Sequence, residues 1–295
     1  MNNFFLLVVC YLFLSCSSSD DDTNPEISRS FQLDIDSKSM NFVNEQFSMN
    51  ENCDRIFINM STSSMSNPKF FLEIKMTVTG HLEEVFYVDY EDNDRHYRSA
   101  DFDTSENFKI TTFAYGPSNK FLEIAFSGNV YEYGQPKNSK AIKGTIQEEN
   151  LESISCSHSP WFITADINEN QSFQSVQMQG KTDSESTRWM AISDNGFKIK
   201  LITEQTLQHM PPGTYAFGKD DPYNKVIIEQ YVGPEGATRF IQFIEEQWET
   251  YDYEGELIID APSGNFSTVT KGSFNLNALK GGEVIYSITN GRFSI

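Results

Sequence analysis

The chain has 295 residues and carries 42 Asp and Glu against 22 Lys and Arg, a formal net charge of −20. A surface that acidic repels nucleic acid and anionic headgroups, and no Lys/Arg cluster offsets it, so nucleic-acid binding is set aside. The length suffices for two domains of ordinary size.

In chain order, Phe4–Leu14 (FFLLVVCYLFL) is an unbroken apolar run. A spanning helix needs about 20 apolar residues, so this run reads as a signal-peptide core over residues 1–15. Its n-region, MNN, lacks the usual Lys or Arg. Ser15-Cys16 at the end of that core resembles a bacterial lipobox, with Phe13 where such motifs usually carry Leu. The resemblance implies acylation of Cys16, palmitate included, and a stable lipid anchor at about 0.8 kcal/mol per buried methylene. The competing reading is an ordinary secreted protein with a cysteine near its cleavage site. Ser17, Ser18, Ser19, Asp20, Asp21 and Asp22 follow at once. They resemble the serine-plus-acidic export signal of Bacteroidota surface lipoproteins, which implies an outer-membrane protein facing the medium. Like charges in a row also extend a chain, so residues 16–28 serve equally as a tether.

After residue 28, apolar runs of five to ten residues stop at Gly, Asn, Asp or Pro. Phe70–Thr79, Glu84–Tyr90, Lys120–Tyr133, Phe197–Thr203 and Glu256–Asp260 are predicted strands, rich in the Phe, Tyr, Ile, Val and Thr that strands favour. In Phe197–Thr203 (FKIKLIT), Phe197, Ile199 and Leu201 fall on one face and Lys198 and Lys200 on the other, the pattern of a half-buried strand. Asp194-Asn195-Gly196 predicts a hairpin, because Asn-Gly accepts positive φ. A short helix near Glu148–Ile154 is the best helical candidate. The class is all-β: two tandem antiparallel sandwich-like or barrel-like domains, 29–148 and 160–295, joined by an acidic, serine-rich linker at 149–159.

The halves resemble each other. Phe31–Phe42 matches Trp161–Phe173, Phe126–Tyr133 matches Val269–Ala278, and Ile142–Ile146 matches Thr289–Phe293, in the same order. This reads as a tandem duplication. The second half, Trp161–Ile295, carries Pro212-Gly213-Thr214-Tyr215, then Lys271-Gly272-Ser273-Phe274, then Ile288-Thr289-Asn290-Gly291 with Phe293. These residues resemble an uncharacterised Bacteroidota lipoprotein domain family, which implies a fold and an address and no activity.

Two cysteines, Cys53 and Cys156, remain beside Cys10 of the signal segment and Cys16. In an oxidising setting they either pair, closing a loop of about 100 residues worth ~4–5 kcal/mol, or stay as two buried thiols. The histidines, His81, His96, His158 and His209, form no spaced pair, and no CxxC occurs, so no metal is expected. GxSxG, P-loop and dinucleotide fingerprints are missing, so no cofactor and no catalytic residue are assigned. Asp89–Asp94 (DYEDND) misses calcium-loop spacing and reads as a solvated acidic tip. Trp248, Tyr251, Tyr253, Tyr215 and Trp161 are candidate stacking platforms, Tyr251 and Tyr253 sharing one strand face; core filling is the competing reading. The expectation is a non-enzymatic, surface-anchored protein that binds an extracellular ligand, with glycan as the leading class. The alternatives are an accessory partner of an outer-membrane protein complex and a hydrolase with a non-local site.

Overall fold

A period of two puts successive side chains on opposite faces, so each alternating run buries one face only and needs a second sheet to cover it. The computed structural model describes residues 29–40, 47–61, 68–100, 108–132, 135–155, 161–182, 186–233, 245–261 and 269–295. Among them, apart from 3-10 turns such as Leu207–His209 and Glu245–Gln247, the regular elements are strands. The sheets are sandwich-like and none closes into a barrel, so of the two expected forms the sandwich stands.

The first half supplies β1 (Arg29–Ile35), β2 (Lys38–Met40), β3 (Phe47–Asn52), β4 (Arg55–Ser61), β5 (Phe70–Thr77) and β6 (Leu82–Asp89). It continues with β7 (Arg95–Ser99), β8 (Lys109–Gly116), β9 (Phe121–Glu132), β10 (Gln135–Glu148) and β11 (Glu152–Ile154). All eleven join one sheet in the order β11-β3-β4-β5-β6-β7-β9-β10-β1-β2, with β8 pairing β9 off that path. Phe121–Ser127 of β9 pair with β8, whereas Val130–Glu132 pair with β7. Gly128, at φ 144, stands where β9 passes from one partner to the other. The sheet doubles back at that point, and Phe31 of β1 stacks on Phe47 of β3 with ring centroids 4.8 Å apart.

The second half supplies β12 (Phe162–Ile167), β13 (Gln171–Gln174), β14 (Gln177–Thr182), β15 (Thr187–Ile192), β16 (Phe197–Thr203) and β17 (Gly213–Gly218). Then come β18 (Lys225–Tyr231), β19 (Trp248–Thr250), β20 (Asp252–Ile259), β21 (Lys271–Lys280) and β22 (Glu283–Ser294). They form two sheets, β13-β12-β22-β21-β20-β17 and β14-β15-β16-β18-β19.

The strand order repeats between the halves. The path β2-β1-β10-β9-β8 recurs as β13-β12-β22-β21-β20, and β3-β4-β5-β6-β7 recurs as β14-β15-β16-β18-β19. The segments matched in sequence fall on corresponding strands, and β17 is the addition in the second half. A packing device repeats with them. Gly144 on β10 lies under Phe126 of β9, where a Cβ would stand 2.5 Å from the ring. Gly291 on β22 lies under Phe274 of β21, where a Cβ would stand 2.4 Å from the Phe274 carbonyl oxygen. Each half also buries its own apolar cluster, Leu33 to Leu151 in one and Ile163 to Ile295 in the other.

Two expectations need correction. No helix forms near Glu148–Ile154. Leu151 is buried with its N–H on the Lys120 carbonyl, and β11 pairs parallel with β3, Ile154 opposite Asn52. A distant strand offers this segment a complete ladder, which outweighs weak local helix propensity. For the same reason the stretch 149–159 is not all linker, since Glu152–Ile154 belongs to the first sheet. The hairpin at Asp194–Gly196 is present, with Gly196 at φ 81. It meets the first half: Asp194 Oδ1 lies 3.0 Å from His81 Nδ1, and Arg55 Nη2 donates to the Ser175 carbonyl at 3.4 Å.

Candidate ligand-binding surface

Tyr251 and Tyr253 do share one side of the chain at β20, and that side is the inner one, because Leu257 on the same parity is fully buried. Tyr251 is 7% exposed and packs edge-on against Tyr286 at 5.3 Å. Its hydroxyl donates to Glu249 at 2.7 Å and to Gln230 at 3.2 Å, and Tyr286 donates to the same Gln230 oxygen at 2.7 Å. Burial raises the Tyr251 phenol well above its ordinary range, reinforced by the Glu249 carboxylate. Tyr253 is half-buried beside Phe217, and Tyr215 packs on the core while donating to the Pro211 carbonyl at 2.6 Å. Trp248 is 5% exposed. The expected platform of Trp248, Tyr251 and Tyr253 therefore presents no common ring face to solvent; these rings close the sandwich.

Trp161 differs. It stands just ahead of β12, is 53% exposed, and meets Trp189 of β15 at 5.2 Å with the ring planes 74° apart. Trp189 is held by the sheet beneath it. It pairs across β14–β15 with Gly180, and a Cβ on Gly180 would stand 2.9 Å from its ring atoms. The missing side chain thus gives the indole a flat seat, as a glycine does where a neighbour approaches closely. Two indoles at near right angles, one seated and one upright in solvent, make an apolar corner with an N–H on each ring for polar contact. Trp189 is a residue that sequence reasoning missed. Its parity with Ala191 marks it as core, and only the register opposite Gly180 distinguishes it.

The outward face of the five-stranded sheet holds a second unexpected feature. Lys198, expected in water, is fully buried. Its ammonium lies 2.5 Å from Glu229 Oε2 and 4.1 Å from the Trp248 ring centroid. The Lys198–Glu229 contact is a charge pair rather than an aligned hydrogen bond, since neither atom has a hydrogen-bond partner by geometry. Lys200 Nζ meets the other Glu229 oxygen at 2.6 Å and reaches Glu245 at 3.3 Å. Burial lowers the Lys198 amine below its ordinary range, with Glu229 pulling the other way. Each charge here has an opposite within reach, so the cluster is a structural clasp between β16, β18 and the segment that leads into β19.

The acidic turn after β6 is likewise internally engaged. Asp89 accepts from the N–H groups of Glu91 and Asp92 at 3.2 Å each and lies 3.2 Å from Lys140 Nζ. Lys69 meets Glu91 at 3.2 Å and Arg95 meets Asp92 at 3.4 Å. Among the described residues no group of three or more His, Cys, Asp or Glu is placed to hold a metal. Cys53, at φ 62 in the β3–β4 turn, is disulfide-bonded, and its partner lies outside the described residues. Cys156, Cys16 and the run Ser17–Asp22 also lie outside them. No protein-family model, curated protein or solved structure matches the chain.

Proposed function

We propose that this chain is a lipid-anchored outer-membrane protein that faces the medium, performs no chemistry of its own, and binds a glycan at Trp161 and Trp189. The address rests on the residues around Cys16 and their likeness to a lipobox and an export signal. The binding role is carried by one observation: Trp161, just ahead of β12, is 53% exposed and meets Trp189 edge-on, whereas Trp248 and Tyr251 are buried. An indole face is apolar and flat, and the axial C–H groups of a pyranose present a matching surface, so stacking removes apolar area from water on both partners. Loops and strand ends of a rigid sandwich are where such surfaces are displayed. A second reading, an accessory partner of an outer-membrane protein complex, draws on the terminal position of β17 in its sheet.

The test is a glycan array probed with the soluble chain lacking residues 1–16, followed by titration of the best ligand. Trp161→Ala is expected to weaken binding by about 2 kcal/mol, or ~30-fold in Kd, as the loss of a central aromatic anchor does. Its melting temperature stays unchanged, because the ring contributes to no core cluster. The reading fails if the wild-type chain binds nothing on the array, or if Trp161→Ala binds with the same Kd.

A further inference from the structure

A strand at the edge of a sheet presents unpaired N–H and C=O groups, and folded proteins blunt such edges with short strands, charges, bulges or cover. Among the described residues, the sheet edges follow that rule with one exception. β2, β11, β13 and β19 are three or four residues long. β14 carries Lys181, and β8 has a register irregularity between Ile110 and Thr112. Among the described residues, nothing gives β17 any of these defences. Its six residues, GTYAFG, carry no charge and pair with β20 in unbroken register from Gly213–Ile259 to Gly218–Glu254. Gly213, Thr214 and Ala216 are exposed, and a Cβ added at Gly213 would meet nothing within 4 Å.

The neighbouring strand indicates what fits there. Glu254 and Glu256 lie opposite Gly218 and Ala216, on the outer face of the sheet, and both are exposed. Neither carboxylate has an ion-pair partner among the described residues. A strand added to the free edge of β17 would lie two strand spacings from β20, about 9–10 Å. Between them stand only Ala216 and Gly218, too small to block a long side chain laid across the lane. Lysine or arginine at alternate positions of the incoming strand would reach the two carboxylates. A second copy of this chain is disfavoured as the occupant, because its own β17 lacks any cation and each copy carries a net charge of −20.

We propose that the outer edge of β17 takes up an extended strand of a partner protein with alternating basic residues, seating their cations over Glu254 and Glu256. Backbone hydrogen bonds supply affinity in this mode, and the alternate side chains supply selectivity. This surface is separate from the Trp161–Trp189 corner and stands or falls independently of glycan binding.

The test uses the full chain and the peptide acetyl-Lys-Thr-Lys-Val-Lys-Thr-amide at physiological salt, where diffuse attraction to an acidic surface is screened. Hydrogen–deuterium exchange is read over Gly213–Gly218. The expected result is slowed exchange in that segment, and roughly tenfold weaker binding to Glu254→Gln/Glu256→Gln, whose exposed positions leave folding intact. The same peptide with every backbone nitrogen methylated keeps its charge and loses its donors, and it is expected to give no protection. Unchanged exchange over Gly213–Gly218 with the first peptide would overturn the proposal, as would equal protection by the methylated one.

Discussion

Lys198 and Lys200 stand two positions apart on β16 with the same outward parity, yet only Lys198 is sealed from water. The Trp248 ring lies over its ammonium and Glu229 meets it at 2.5 Å. Removing one member of a buried pair leaves the other charge poorly compensated, so Lys198→Ala is expected to destabilise the fold by about 3 kcal/mol in urea titration. Lys198→Met keeps much of the volume and isolates the titration. Because burial holds the folded amine below the ordinary 10.5, the unfolded chain binds the extra proton between those two values. Stability then rises with pH across that window and levels off above it. The wild type is therefore expected to gain on Lys198→Met as the pH is raised from neutrality toward 10. A constant difference between the two proteins would show that the amine titrates normally.

At the scale of strands, the glycines under phenylalanine rings set how closely neighbouring strands approach. Gly291 is flanked by the Phe274 carbonyl and ring, and a Cβ has no flexible neighbour to displace on the backbone side. Gly291→Ala is expected to lower stability by about 2–3 kcal/mol through overpacking. Gly281, at φ 63 in the β21–β22 turn, has open space around a Cβ, so Gly281→Ala bears only the positive-φ penalty of about 1 kcal/mol. Equal urea midpoints for the two variants would contradict this account. The strand-order repeat also shows where β17 stands in the second half. The link between β5 and β6 is the short turn containing Gly80, packed on Phe113 of β8, whereas the corresponding link between β16 and β18 contains a strand that pairs with β20.

For the molecule as a whole, the joint between the halves and the proposed anchor are decisive. β11 ends at Ile154 opposite Asn52, the residue before Cys53, and Cys156 follows two positions later in the sequence. Peptide mapping under non-reducing conditions is expected to recover Cys53 linked to Cys156. Alkylation of Cys156 without reductant would exclude that pairing. The bond would staple the connecting segment to the β3–β4 turn, next to Arg55 and its contact with Ser175. If Cys16 is acylated as proposed, Cys16→Ser is expected to shift the protein from the detergent phase to the aqueous phase, because acyl chains on that residue would supply the hold on the bilayer. Continued partitioning of the variant would mean that something other than lipid on Cys16 retains it.

Much of this architecture is local and was legible in the residues. Phe197–Thr203 is a strand at the bounds its alternation marks, Asn195-Gly196 makes its hairpin, and the matched segments of the halves occupy corresponding strands. Alternation and turn chemistry act between neighbours in the chain, so a short window contains them whole. The site was not local. Alternation says that Tyr251 and Tyr253 share a face and is silent on which face the second sheet covers. Lys198 reads as solvated until Trp248, fifty positions away, is laid over it, and Trp189 reads as core until the register sets it on Gly180. Glu152–Ile154 becomes a strand only because β3, about a hundred residues earlier, offers a free edge. Sequence by itself determined the class and the positions of the strongly alternating strands. Tertiary structure decided which rings and charges face water, because burial and cross-strand register depend on partners that no local pattern names.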